Sequence, residues 1–344
     1  MLKTEIVLLA NNVCLPFQKL NKEYGLNFIE LNKLFATKSL AEHGLGFLIN
    51  IYDLVNRDDE WNAPVLKKII FDTGGPNLTF LHNLDIHGYP IHDLHHIILS
   101  HWHYDHTGGL YPLLERIDND IQIICHNDAK NERFFRRIDN IKNSDLEGKT
   151  RDQISDLLST SKIVNQEPID LEKIEKLKGK VFFSRTPYEL LNIKGLKITL
   201  SGEIPRKHEI EDFDNFYSLQ NGTLEIDKIL DDKCLIFEYD DRVILLNGCC
   251  HSGLMNTIDY VKDLTDKPIS HIIGGFHMAS ASNQRITATV DYIRTFQNYH
   301  KPLYLFPIHC TGAKFVQRIN TIKFPEIKAF DCSVGTVFRF NTGF

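Results

Sequence analysis

Short runs of apolar, largely β-branched residues recur along the chain, each bounded by polar or turn-forming positions. The clearest are residues 67–72 (KKIIFD), 95–100 (HHIILS), 121–125 (IQIIC), 196–201 (LKITLS), 234–239 (CLIFEY) and 242–248 (RVILLNG), then 270–275 (SHIIGG), 303–307 (LYLFP) and 335–340 (GTVFRF). Runs this short, with so few charges, suit strands that other layers cover on one or both faces. Between them apolar residues recur at helical spacing, most clearly over 256–264 and 285–297. Strands alternating with helices predict an α/β chain. Residues 127–180 read differently: they are rich in Lys, Asp, Glu and Asn, with Ile154, Leu157 and Leu158, then Leu171, Ile174 and Leu177, at helical spacing. Their apolar content is thin for an independent core, so this stretch is expected to be a helical insertion within a single domain spanning 1–344. The 134–137 run (FFRR) is expected to be an ordinary helix face rather than a binding site.

Composition narrows the function more than the fold. With 344 residues, 42% hydrophobic and 24% charged, the chain can bury a large core without disulfide or metal staples. Its 39 basic and 45 acidic residues leave a net charge of −6, which is not the basic footprint of a nucleic-acid binder. An anionic substrate would have to be attracted by a few local cations or by metal ions. The seven cysteines are scattered and include no CxxC pair, so no obligatory disulfide is expected and a reducing, cytoplasmic setting fits. The apolar start is too short for a signal peptide, and no run approaches the ~20 residues needed to span a bilayer, so no membrane association is expected.

The chemistry is concentrated in one segment, His101-Trp102-His103-Tyr104-Asp105-His106-Thr107-Gly108-Gly109, which follows the apolar run ending at Ser100. Side chains at i and i+2 of an extended turn point the same way, so His101 and His103 can grip one cation. Asp105 and His106 fall on the next turn and can hold a second beside it. Imidazoles with a carboxylate are a ligand set for catalytic divalent transition metals. His82, His87, His92, His95 and His96 read instead as loop, helix or strand-edge residues.

The His-x-His-x-Asp-His pattern resembles the signature of the metallo-β-lactamase superfamily, and Phe71-Asp72-Thr73-Gly74 resembles its first motif. Five further blocks are similar to a subgroup typified by 7,8-dihydropterin-6-methyl-4-(β-D-ribofuranosyl)aminobenzene-5′-phosphate synthase. They are AEHGL at 41–45, GEIPR at 202–206, NGCCHSG at 247–253, GGFHM at 274–278 and HCTG at 309–312. There are departures: the superfamily's PGH turn is absent, Gly202-Glu203-Ile204 stands near its place, and the subgroup's GCSH is here Gly-Cys-Cys-His. The resemblance implies a four-layer αββα sandwich with two divalent ions at one edge. Asp72 would support the site from behind the ligands. His251 would join His101 and His103, and His309 would join Asp105 and His106. Cys249 would be either a thiolate ligand or a small buried filler. Because the second histidine of the signature is His103 rather than a glutamate, redox-inert zinc is expected, with manganese or iron as alternatives. The resemblance further implies small-molecule phosphorylated substrates, with His277 beside them and Asp105 and His277 catalytic; Arg206 and Lys207, next to Glu203, are either the local positive charge that holds such a substrate or a plain surface pair. It points to a diphosphate-displacing transferase; hydrolysis of a phosphoester or lactone is the alternative, and a metal-dependent ligand sensor a more distant one.

Overall fold

The computed structural model describes the chain except for residues 32–36, 55–62, 138–140, 212–215, 297–301, 322–323, 325 and 344. Among the described residues, eight strands form one sheet in the order Ile29–Leu31, Thr336–Asn341, Leu2–Ala10, Gly46–Asp53, Val65–Phe71, His96–Ile98, Ile121–Cys125 and Gly179–Phe183. Seven form a second, ordered Tyr188–Ile193, Leu196–Leu200, Cys234–Tyr239, Val243–Asn247, Ile269–Gly275, Leu303–Ile308 and Ile327–Ala329. Every apolar run singled out above lies on one of these strands.

Side-chain alternation explains why the runs are so continuously apolar. Along Leu2–Ala10, Ile6 and Leu8 face a core between the two sheets, while Val7 and Leu9 face a second core on the outer side. Gly46–Asp53 repeats this, with Phe47, Ile49 and Ile51 inward and Leu48 outward. A strand covered on both faces has no solvent side to carry polar residues. Helix Thr79–Ile86 and the short helix Leu110–Leu114 cover the outer face of the first sheet. Helices Leu254–Leu264, Asn283–Phe296 and Ala313–Thr321 cover that of the second. The result is the expected αββα sandwich. The predicted helices at 256–264 and 285–297 are present, although Gln297 lies outside the described residues. No helix among the described residues is long and apolar enough to cross a membrane.

The 127–180 stretch differs from the helical insertion expected. Its helices, Ser155–Ser159 and Leu171–Lys176, are short, and three 3₁₀ turns accompany them. Arg133–Arg136 and Ile163–Gln166 are instead strands, paired antiparallel. With Phe216–Gln220 and Thr223–Ile226 they make a small sheet, around a core that includes Phe134, Ile163, Tyr217 and Leu224. The FFRR run is therefore a strand and not a helix face. Its partner Phe216–Gln220 lies some eighty residues downstream, and long-range pairing of this kind leaves no local periodicity to read.

Candidate metal centre

Four loops that leave the C-terminal ends of strands converge on one edge of the sandwich. The 101–106 segment follows His96–Ile98, Cys249 and His251 follow Val243–Asn247, His277 follows Ile269–Gly275, and His309 follows Leu303–Ile308. Close passage between neighbouring strands requires Gly274-Gly275. A Cβ on Gly274, whose φ is +126°, would lie 2.3 Å from the Asn247 carbonyl oxygen, and one on Gly275 would lie 2.7 Å from Cys310 Sγ. Gly275→Ala is accordingly expected to cost about 1–3 kcal/mol through overpacking and to weaken metal binding; chemical denaturation and a metal titration would check this. Asp72, Cys250, His277 and His309 all have positive φ, between 46° and 61°. Backbone strain gathered at one spot is characteristic of functional sites.

Hydrogen bonds set the tautomers. Asp72 accepts from the Ser100 backbone N–H and from Ser100 Oγ, both at 2.7 Å. The single Ser100 hydroxyl proton is thereby committed to a carboxylate. His101 Nδ1, 2.8 Å from that oxygen, must therefore be the donor, which leaves Nε2 with its lone pair. His106 Nδ1 donates to Asp72 Oδ2 at 2.6 Å, and its Nε2 faces Cys249 Sγ at 3.0 Å. His309 Nδ1 donates to Asn12 Oδ1 at 3.0 Å, and its Nε2 lies 3.1 Å from Asp105 Oδ2. Three imidazoles are thus oriented with their Nε2 atoms inward, the arrangement a metal ligand needs.

The donors fall into groups that share one thiol. Ligand atoms of Asp105, His106, Cys249 and His309 lie within 4.8 Å of one another, as do those of His101, Cys249 and His251. Cys249 also groups with His277 and Cys310. The His103 ring lies 4.4 Å from that of His101 and 4.8 Å from that of His251, although its nitrogens fall outside the tighter grouping. Two observations fit this set to cations. His101 Nε2 and His251 Nε2 are only 3.2 Å apart, and buried His103 Nε2 has no hydrogen-bond partner among the described residues. Burial, reinforced by neighbouring cationic groups, pushes His101, His103 and His251 well below the usual imidazole range, so they are neutral and ready to ligate. Burial alone would raise Asp105, but His106 and His309 hold it well below the usual carboxylate range. For His106 burial opposes the charged form, yet Asp72 and Asp105 outweigh it and raise the group to about 9. The carboxylates that stabilise a proton there would equally stabilise a cation.

Not every expected residue arrives. Lys207 pairs with Asp263 at 2.9 Å on the surface, and Arg206 donates to the carbonyls of His251, Lys228 and Ile229. Neither lines the pocket over the donors, because their loop turns toward the neighbouring backbone. Glu203 binds His126 at 2.9 Å and Arg185 at 2.6 Å, away from the donor groups. The pocket itself is a cavity of about 260 Å³ walled by Tyr104, Phe135, Phe216 and Val164, with Arg137 as its cation and His277 among its lining residues. Two residues went unassigned in the sequence reading. His43 Nε2 lies 3.3 Å from Asp105 Oδ2, with its ring stacked 5.0 Å from that of His309. Cys310 donates to the Cys249 carbonyl at 3.5 Å. The AEHGL and HCTG blocks contained the signal for both.

The chain is similar to several known proteins. Residues 66–178 match the model of the metallo-beta-lactamase superfamily. An uncharacterized protein of Methanocaldococcus jannaschii is 28% identical over 83% of this chain and 90% of its own length. The 7,8-dihydropterin-6-methyl-4-(β-D-ribofuranosyl)-aminobenzene-5′-phosphate synthase of the same organism is 29% identical over 80% of this chain and 82% of its own length. Among solved structures, Tm1679, a metal-dependent hydrolase of the β-lactamase superfamily, matches 99% of both chains with a TM-score of 0.64 at 18% identity. The chain thus matches the sequence model of the metallo-β-lactamase superfamily over residues 66–178 and shares the fold of Tm1679 along its whole length.

Proposed function

We propose that the chain is a dinuclear metal-dependent transferase. It would displace diphosphate from a dihydropterin-methyl diphosphate with a ribofuranosylaminobenzene phosphate, giving a product of the kind for which its synthase relative is named. The observation that carries this reading is the meeting of two donor groups at Cys249, at the pocket walled by Tyr104, Phe135 and Phe216. Two divalent ions, zinc by the donor set, would be held by His101, His103 and His251 and by Asp105, His106 and His309, where they would neutralise a departing anion and polarise its phosphoryl oxygens. Flat aromatic walls suit planar rings. His277, its ring 4.2 Å from that of His251, is placed to hold or move a proton beside the reacting atoms. Arg137 takes over the anion-binding role expected of Arg206 and Lys207. Seven free thiols accord with a reducing cytoplasm, and the acidic chain with a small-molecule rather than a nucleic-acid partner.

Metal analysis followed by assays with each organic phosphate, alone and together, tests the reading; turnover should require both. Arg137→Gln should raise KM for a phosphorylated substrate by on the order of tenfold, the size of one charge-assisted hydrogen bond, with metal content unchanged. One observation favours a second reading. The cavity, about 260 Å³, is below the ~300–1,000 Å³ common for small-molecule sites and better suits a single small phosphoester or lactone hydrolysed by water. Turnover of such an ester without a second organic substrate would establish hydrolysis and overturn the transferase.

A further inference from the structure

The backbone of Trp102 lies between the His101 and His103 donors, and both its N–H and its carbonyl are held. Its N–H donates to Asp231 Oδ2 at 2.7 Å, and its carbonyl accepts from Arg133 Nη1 at 3.1 Å. Arg133 in turn binds Asp231 Oδ1 through Nη2 at 2.7 Å and pairs through Nε with Asp227 Oδ2 at 2.9 Å. The same loop reaches the other segments of this site. Lys233 N–H donates to the Ser100 carbonyl at 3.1 Å, and Asp232 accepts from the Ser252 N–H at 2.7 Å, one residue beyond His251. Arg133, Asp231, Asp232 and Lys233 are each only 1% exposed.

Burying a guanidinium among carboxylates carries a desolvation cost that apolar residues of similar size would avoid. Its geometric effect is specific: the two peptide planes flanking Trp102 are each held, one by its N–H and the other by its C=O, and rotation of either plane would swing the adjoining imidazole. Arg133 comes from strand Arg133–Arg136, and Asp227 and Asp231 follow strand Thr223–Ile226, both in the small sheet. We infer that the small sheet serves to lock the His101–His103 backbone, with Arg133 and Asp231 as positioning residues for the cation held there. This rests on the reading that His101, His103 and His251 hold a cation.

The test is Asp231→Asn in the full chain, titrated with Co²⁺ against a competing chelator. The amide preserves shape but offers an oxygen to only one of the Trp102 N–H and Arg133 and presents a donor to the other. One ion should bind 10- to 100-fold more weakly, as when partners behind metal ligands are removed elsewhere, and the other should change by less than about threefold. Arg133→Lys, which keeps the charge but cannot span both partners, should weaken the same ion. Lys68→Met, which breaks the pair between buried Lys68 of the first sheet and the partly exposed Asp93, is the control. It should lower thermal stability and leave both affinities unchanged. Folded Asp231→Asn and Arg133→Lys proteins with both affinities unchanged, or with both weakened equally, would overturn the inference. If the wild type takes up a single ion, the two-ion reading fails, yet weakening of that ion upholds the positioning role and its absence refutes it.

Discussion

Asp105→Ala is expected to abolish turnover and to reduce bound metal to half or less while the far-UV circular dichroism stays that of the wild type. Asp105 Oδ2 lies 3.1 Å from His309 Nε2, 3.3 Å from His43 Nε2 and 3.7 Å from His106 Nε2, so three imidazoles converge on one buried carboxylate. Their field holds it ionised despite burial. Removing it takes the carboxylate from its donor group and leaves the imidazole nitrogens without the anion on which they converge. Preorganised charge in a buried site commonly contributes about 10²–10³ in rate, and losing an ion's own ligand should cost at least that. His103→Ala should behave similarly, because it deletes a buried nitrogen that has no other partner among the described residues. Activity assays with metal analysis decide the matter; a fully active His103→Ala protein would overturn the ligand assignment.

The second large effect concerns the shared thiol. Cys249→Ala should weaken both ions together, because Cys249 alone belongs to both donor groups. In the cobalt-substituted wild type a thiolate-to-cobalt charge-transfer absorption should appear and should vanish in this variant. Cys250→Ala should retain it. Consecutive side chains at the end of a strand point to opposite sides, and Cys250 is buried in the outer core of the second sheet with its sulfur 3.4 Å from Thr257 Oγ1. An absorption that persists in Cys249→Ala would transfer the ligand role to Cys310.

The parts of this site that were legible in the chain were those in which chemistry is packed locally. His101, His103, Asp105 and His106 crowd six positions, and no bland arrangement of core or surface calls for that. Asp72, His251 and His309 were assigned only because each ends an apolar run within a block resembling a known family, Asp72 in the superfamily's first motif and the two histidines in subgroup blocks. The spacing between them carries no distance. Arg206 and Lys207 were misplaced for a related reason. Two adjacent cations next to a motif residue suggest an anion site, but a side chain's direction depends on which neighbours remain unpaired once the loop closes. Here three backbone carbonyls claimed Arg206 and Asp263 claimed Lys207.

By itself the sequence determined the buried strands, the helices at 256–264 and 285–297 and the cluster of histidines after Ser100, because apolar periodicity and strand-end motifs are local properties; the two-sheet sandwich with its metal edge was legible only through the resemblance. The tertiary structure alone decided that Cys249 lies between the donor groups, that Cys310 and His43 join them, and that the 127–180 stretch pairs with residues 216–226 as a sheet. It also decided that Arg133 is buried against Trp102. Each of these depends on contacts between residues roughly thirty to more than two hundred positions apart. Such contacts are set by how strands stack and where a buried charge finds its partner, and neither is written in the order of neighbouring residues.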